Sequence, residues 1–561
     1  MSIQTWVFIF IGCSFTSYMI IAIWTKANTT REFYLAGAQV HPVTNGIATA
    51  ASWMSAASFL SLAGLISIAG YDGGIYLMGW TGGYVILALC LVPYLRLFAK
   101  ITIADFIAER YYSRIARLVA VICIVFISFI YIAGQMRGIG LVFSRFLDVN
   151  MNLGVLLGMV IMFIYTVWGG MRGVTYTQVA QYCLLIFAFL VPAFLTSFSL
   201  TGQYLPQMGL GSHLLGQPEQ YVLDRLDILS LELGLASFTS GHKSLIDIGF
   251  VTLALMMGTA GLPHIITRFF TVSGVKKVRS SVGYTLVFIA LLYTAIPAVA
   301  AFARLNIIES INPQKPLQLE VSQEPQWLNN WLQTGLVEWQ DVNGDEHLFY
   351  SGDERNEVYL NQDMVVLASP ELASLPNWVI ALVAAGGLAA SLSTAAGLLL
   401  VIASSIAHDL GKHIIKPDLT DKQELKWARM SVCAAILTAG YLGVNPPALV
   451  AEVIAYAFGL AACSIFPAMV MGIFSKKMNR LGALSGMLVG MSLTLTYISY
   501  FKFIEPTANV PEYWWFGISP EGIGALGMLS NFAVAFLVHH CTQDAPESVQ
   551  SLVAELRRPP A

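Results

Sequence analysis

Charge is what this chain has least of. Only 11% of its 561 residues are Asp, Glu, Lys or Arg, against about 25% in an ordinary soluble domain. A hydrophobic share of 56% accompanies that shortage, so the chain reads as an integral membrane protein rather than a large soluble one. The formal net charge is −3 and no basic block is long enough to hold nucleic acid. Cysteines at 13, 90, 123, 183, 433, 463 and 541 are odd in number, scattered and mostly inside apolar runs, which argues against a disulfide framework and a metal cluster. No nucleophile–base pairing or metal-ligand spacing marks an enzyme, and His539 and His540 are adjacent rather than metal-spaced. Gly169, Gly170 and Gly173 make a tight connection that lacks the Lys and Ser/Thr of a phosphate loop.

What is present is a succession of apolar runs. A bilayer core takes roughly 20 residues of helix, and runs of that size fall near 5–24, 43–70, 74–97, 116–146, 152–170, 176–200, 245–270, 282–304, 376–407, 427–444, 447–474, 479–502 and 521–541. The expectation is an all-α integral membrane protein of thirteen transmembrane helices. Nothing basic precedes the first run, so it lacks the charged start of a secretory signal, and the "FIGC" before Ser14 is a weak lipoprotein-like box for the same reason.

The basic residues orient the count. Lys26 and Arg31 follow the first span; Lys100, Arg110, Arg114 and Arg117 lie between the third and fourth; Arg172 follows the fifth. Lys276, Lys277 and Arg279 follow the seventh, Lys412, Lys416, Lys422 and Lys426 the ninth, and Lys476, Lys477 and Arg480 the eleventh. All share one side if the N-terminus is outside and the C-terminus cytoplasmic. The opposite side carries the segments 201–244 and 305–375, the second rich in acids from Asp341 to Asp363. A small strand-like or short helical subdomain is conceivable there. "DVNGDEH" at 341–347 fails the spacing of a calcium loop and reads as a polar turn.

Two stretches stand out inside the apolar runs. "ASWMSAASFL" at 51–60 places Ser52, Ser55 and Ser58 at every third residue, and Ser61 and Gly64 continue the pattern. "AASLSTAAG" at 389–397 brings Ser391, Ser393 and Thr394. For any one serine, close helix packing with a hydroxyl bonded to its own helix is the simpler reading. Two such stretches in separate helices favour an ion site. A small hard cation takes oxygen ligands, and a broken helix frees carbonyls where they line a cavity or hold an ion. An intramembrane Asp costs about 2.5–3.5 kcal/mol on insertion scales; a hydroxyl costs far less.

Several pieces together resemble a known family. They are "MSAASFL" at 54–60, "GYDGGIY" at 70–76, "GTAGLPHIITRFFTV" at 258–272, "AGLLLVIASSIAHDL" at 396–410, "AYAFGLAACSIFP" at 455–467 and "SKKMNRLGALSG" at 475–486. On these the chain resembles the sodium:solute symporters, most of all the bacterial cation/acetate (monocarboxylate) symporters, over nearly its whole length. The resemblance implies a bacterial inner-membrane protein with a LeuT-like core of two inverted five-helix repeats, sodium as co-transported ion, and sites near the midplane. It divides the chain into an extra N-terminal helix and loop (1–42), a first repeat (43–200, spans two to six), a loop (201–244), a second repeat (245–475, spans seven to eleven) containing the acidic loop 305–375, and two extra helices with a tail (476–561). It also assigns sodium ligands: the carbonyls of Ala51, Met54 and Ala390, and the hydroxyls of Ser393 and Thr394.

Two departures bear on the substrate. Many relatives carry an Asp where this chain has Gln178, which puts in doubt any second sodium site leaning on that acid. Some carry an Asp where this chain has Trp53, and its replacement suits a carboxylate better than an ammonium group. A small organic anion needs hydrogen-bond donors and positive potential; the candidates are Ser52, Trp53, Ser55, Gln135, Arg137, Thr259 and Tyr456. Arg137 follows the apolar stretch 118–134, about 25 Å of helix, so it either snorkels at the outer interface or faces the cavity and pairs with the substrate carboxylate. Pro263 and Pro467 are expected to kink or break their spans. His264 is read as a hydrogen-bonded helix-end histidine rather than a proton site, and Asp105 as structural or gating.

The expected function is sodium-coupled uptake of a monocarboxylate such as acetate by alternating access, with the lipid bilayer and the anion as partners. The alternatives are a sodium symporter for another small solute (amino acid, pantothenate or sugar) and a transporter-like sensor. The chain ends about twenty residues after the last span with no kinase-sized domain, which disfavours the sensor.

Overall fold

The computed structural model describes every residue except 99, 312–325, 343, 345–347, 446–448 and 558–561. The polar turn read at 341–347 therefore lies partly outside the described residues; within it the Gly344 amide donates to Asp341 Oδ1 at 2.7 Å. Eleven stretches among the described residues are helical, long and apolar enough to cross a membrane. The two longest have the length of two crossings or more: 57–98 runs 42 residues and 151–210 runs 60, against roughly 20 for a bilayer core. Each contains a glycine in a conformation closed to other residues. Gly70 has φ 58° and Gly170 has φ 53° with ψ −157°, a region where a Cβ is not tolerated.

The helices that position the site are α1 (Ile3–Trp24), α2 (Pro42–Trp53), α3 (Leu62–Ala69), α4 (Gly74–Ile86), α5 (Arg114–Leu147), α6 (Met151–Thr201), α7 (Leu245–Gly261), α8 (Pro263–Phe270), α9 (Val275–Tyr293), α10 (Asn377–Ser404), α11 (Asp421–Val444), α12 (Val450–Cys463) and α13 (Ile465–Phe474). α10 is the axis of the molecule. Every residue of its most apolar window is buried inside the protein. A helix apolar all round belongs in a core, and its glycines let neighbours close in: Gly386 lies against Ala188 and Phe59, and Gly387 against Leu60. α7 meets α12 as closely, since a Cβ on Gly258 would overlap the Phe458 carbonyl.

Three helix pairs are interrupted within the protein. Between α7 and α8, Pro263 opens the new helix and holds Leu262 extended at φ −70°, ψ 119°, as a residue before proline prefers. Between α12 and α13 the chain breaks at Ser464, with Pro467 in the first turn that follows. Between α2 and α3 there is neither proline nor glycine. α2 stops at Trp53, Met54 turns to ψ 73°, and the chain resumes through a wide π turn at Ala57–Ser61. Tertiary contacts hold this last break open: the Ala56 amide, freed from its helix, donates to Gln135 Oε1 of α5 at 2.9 Å.

The acidic-loop side carries two small antiparallel ribbons, one within 213–221 and one pairing Val337–Trp339 with Val358–Leu360. A short helical segment, Gln362–Met364, lies over α3 so closely that a Cβ on Gly64 would overlap the Gln362 carbonyl.

Candidate functional site

The break after α2 leaves carbonyls without helical partners, and α10 supplies hydroxyls to them. Ser393 Oγ donates to the Ala51 carbonyl at 2.7 Å, with the Ala390 carbonyl at 2.8 Å. Thr394 Oγ1 donates to the Ser52 carbonyl at 2.9 Å, with Ala390 at 3.4 Å. Four of the five ligands implied by resemblance therefore meet: Ala51, Ala390, Ser393 and Thr394. Met54 stands at the break itself, but its carbonyl makes no hydrogen bond to this group among the described residues; the Ser52 carbonyl takes that place. All of these residues are essentially excluded from solvent. Each hydroxyl has lone pairs it can turn inward once its proton is released from a carbonyl, so the cluster is a neutral all-oxygen cage suited to a hard cation.

Beside this cage a small enclosed cavity of about 10 Å³ separates the α2–α3 break from the α7–α8 break. That is room for about one water. Its walls are aromatic: Trp53, Trp80, Tyr131, Tyr293 and Phe458. Trp80 and Tyr131 both lean on Phe458, at ring separations of 5.7 and 5.6 Å. Ser55, Ser58 and His264 supply polarity, and Ser58 shares a 2.7 Å hydrogen bond with the Tyr293 hydroxyl. The Trp80 indole nitrogen and both ring nitrogens of His264 have no hydrogen-bond partner, the Trp53 indole faces the Tyr293 hydroxyl, and no carboxylate lines the space. A buried polar group without a partner costs about 1–3 kcal/mol; a neutral imidazole carries one N–H donor, so the N–H groups of Trp80 and His264 point to a guest that accepts hydrogen bonds.

The sequence candidates divide. Trp53 and Ser55 line the cavity. Ser52 lies behind it, accepting from Gln178 Nε2 at 2.8 Å and Arg268 at 3.3 Å. Gln135 serves the α2–α3 break, as described. Thr259 is buried against Gly83 of α4. Tyr456 turns away, its hydroxyl donating to Glu521 at 3.1 Å within a separate apolar cluster. Arg137 meets neither expectation. Its Nε lies 3.8 Å from Oδ2 of Asp363, a wholly buried acid that also accepts the Val450 amide at 3.2 Å. Burial pushes the Asp363 carboxyl up, against the opposing pull of Ser61, Arg137 and Val450. The acid it serves comes from a loop 226 residues away in sequence, so the α5 pattern alone gave no sign of it.

Sequence reasoning missed Ser58, Trp80, Tyr131, Tyr293 and Phe458, and misread His264. His264 is not satisfied at a helix end; it stands edge-on to Tyr131 at 5.1 Å with both nitrogens unpaired. Its place directly after Pro263 was the available signal. Ser58 was visible as a member of the three-residue hydroxyl repeat. Trp80 and Tyr131 sit among apolar neighbours that give no local sign of a site.

Asp105 sits apart from this centre, on the side of the basic loops. It joins Arg117 at 2.5 Å and His408 at 3.2 Å, and His408 reaches on to Glu424 at 2.8 Å. Burial raises the Asp105 carboxyl, but the hydrogen bonds and charges of His408 and Arg117 outweigh it and hold it at about 2. The group binds the loop helix Ile103–Arg110 to the start of α11 and the end of the α10 stretch.

Comparison with known proteins agrees with this architecture. The model of the sodium:solute symporter family matches residues 33–313 and 356–490. An uncharacterised symporter of Cupriavidus necator is 32% identical over 649 residues, covering 98% of this chain and 93% of its own. The uncharacterised symporter YwcA of Bacillus subtilis is 31% identical over 490 residues, covering 84% and 82%. Among solved structures, a sodium-coupled sialic acid symporter in a substrate-bound, outward-open state superposes with a TM-score of 0.71 at 13% identity, over 96% of this chain and 98% of that one; at that identity the likeness speaks for the fold. The protein is a multi-pass membrane transporter that couples solute movement to sodium, and it belongs to the sodium:solute symporter family.

Proposed function

We propose that the chain takes up a small monocarboxylate of the size of acetate together with sodium, by alternating access across a bacterial inner membrane. The observation that carries this reading is the enclosed cavity with two unpaired N–H donors, of Trp80 and His264, and no acid. A carboxylate brings several acceptor lone pairs, and a cavity that now has room for about one water must widen far less to admit two or three carbons than to admit a sugar. Trp53, Trp80, His264 and Ser55 hold the anion; Ala51, Ala390, Ser393 and Thr394 hold sodium, with Met54 or Ser52 adding a carbonyl as the α2–α3 break shifts. Ser52 connects the two sites, which gives the ion and the anion a shared backbone to move.

Thirteen crossings follow if 57–98 is divided at Gly70, its first half completing the span begun by α2, and if α6 is divided at Gly170. The basic loops then face the cytoplasm and the N-terminus lies outside. The two inverted repeats, 43–200 and 245–475, each open on a helix broken midway, at Met54 and at Leu262, as expected where broken helices build the binding site.

The test is uptake of labelled acetate by proteoliposomes holding the purified protein under an inward sodium gradient. The expected result is sodium-dependent accumulation, competed by propionate, pyruvate or lactate and not by proline, choline or glucose. Competition by a neutral sugar or a zwitterion alone overturns the substrate assignment.

A further inference from the structure

Arg268 is a buried cation with no anion beside it among the described residues. It lies on α8, one turn beyond His264 and so about 6 Å further along the helix, and it is wholly excluded from solvent. One terminal nitrogen donates to Thr175 Oγ1 at 2.9 Å; the other reaches Ser52 Oγ at 3.3 Å and the side-chain carbonyl of Gln178. Its Nε has no partner. Among the described residues no carboxylate pairs with it. Guanidinium does not lose its proton in proteins, and an unpaired buried charge is costly. Both of its bridging partners touch the oxygen cage: the Ser52 carbonyl accepts from Thr394, and Gln178 Nε2 donates to the Ser393 carbonyl at 2.6 Å. Ser52 also directly precedes Trp53 of the cavity wall.

We propose that Arg268 is a fixed positive charge that makes sodium binding depend on an anionic co-substrate. The inference rests on the carboxylate reading of the cavity and deepens it. With the cavity empty, sodium in the cage faces a second cation one residue away. At separations of order 10 Å and an effective dielectric near 20, that repulsion weakens a binding constant on the order of tenfold. A carboxylate in the cavity, one helical turn from Arg268, cancels the field and restores sodium affinity. By reciprocity sodium strengthens anion binding by the same factor. A neutral solute provides no such relief, so Arg268 selects for charge as well as linking the two ligands.

The experiment measures binding of radioactive sodium to the purified full-length protein in nanodiscs, in choline acetate or in the choline salt of a bulky sulfonate at equal ionic strength. Acetate should lower the half-saturating sodium concentration of the unaltered protein about tenfold or more. Arg268→Gln should bind sodium several-fold more tightly without acetate, and acetate should then shift it less than twofold. Arg268→Lys, which keeps the charge, should retain most of the shift; a merely structural tether would not distinguish the two by this readout. Thr175→Asp sets a carboxylate against Arg268 away from the cage, and should mimic Arg268→Gln even if that variant fails to fold. A full shift in Arg268→Gln or Thr175→Asp overturns the inference while leaving acetate as substrate. So does loss of the shift in Arg268→Lys. No shift in the unaltered protein overturns the carboxylate reading and this inference together.

Discussion

Removing the hydroxyl of Ser393 or Thr394 tests the cation cage directly. In Ser393→Ala the Ala51 carbonyl loses its 2.7 Å donor while remaining buried at a helix break, a cost of about 1–3 kcal/mol in stability. The effect on sodium is separate. If a hydroxyl-to-sodium contact is worth as much as a hydrogen bond to a charged group, about 1.5–3 kcal/mol, its loss raises half-saturating sodium by about 10- to 150-fold. Thr394→Ala should behave alike, and Thr394→Ser, which keeps the oxygen, should stay within about threefold of the unaltered protein. Ser391→Ala is the control, because Ser391 Oγ bonds back to the Gly387 carbonyl at 2.9 Å on its own helix and should leave sodium dependence unchanged. The assay is initial uptake titrated in sodium at saturating substrate, with thermal unfolding of the same preparations followed in parallel. A well-folded Ser393→Ala or Thr394→Ala protein with unaltered sodium dependence removes that residue from the site and refutes the cage.

Trp53→Phe deletes an indole N–H of the cavity wall while keeping an aromatic ring there, so half-saturating acetate in the same uptake assay should rise about tenfold, the worth of one hydrogen bond to a charged group, with a smaller change for sodium. Arg137→Gln should lower thermal stability through its buried partner Asp363, by about 1–3 kcal/mol, and Asp363→Asn in the same chain should recover part of it; near-normal acetate affinity in the double variant is expected, and a selective loss of anion affinity in Arg137→Gln would return Arg137 to the substrate site. Asp105 is held below its unfolded value of 3.8, at about 2, so its contribution is complete above pH 4 and is lost as the pH falls towards 2. The shift corresponds to about 2 kcal/mol, and Asp105→Asn should show lower stability at pH 7 and a shallower acid dependence between pH 4 and 2 in thermal melts.

How far the site was legible depended on whether its residues announce themselves locally. The two hydroxyl stretches did, because oxygen is rare enough in apolar helices that Ser393 and Thr394 stand out, and the family motifs placed Ala51 and Ala390 opposite them. Pro263 announced the α7–α8 break through its own covalent geometry. The break at Met54 has no such residue; it depends on Gln135 accepting a stray amide from another helix, a fact of packing rather than of sequence. Arg137 and Tyr456 were misplaced for the same reason, since Asp363 and Glu521 reach them from distant loops. Arg268 lay in plain view within the most specific motif, but only the folded chain shows that among the described residues no carboxylate pairs with it.

The enclosure of α10 beyond its first two residues has a consequence for how the protein is made. During biosynthesis a segment must first be accepted by the translocation machinery and the bilayer, and only later by its neighbours. From Val379 to Ser404 α10 offers no surface to lipid in the finished molecule, yet it meets lipid first. Its small and hydroxylated residues satisfy both hosts in turn: they pass into the membrane without the penalty of an acid, and they leave the grooves into which α2, α5 and α6 settle. A carboxylate at Ser393 would bring a full negative charge to the sodium in the mature protein, but it would add about 2.5–3.5 kcal/mol to the insertion step. The chemistry of the ion cage is thus bounded by what the nascent helix can carry across the threshold of the membrane.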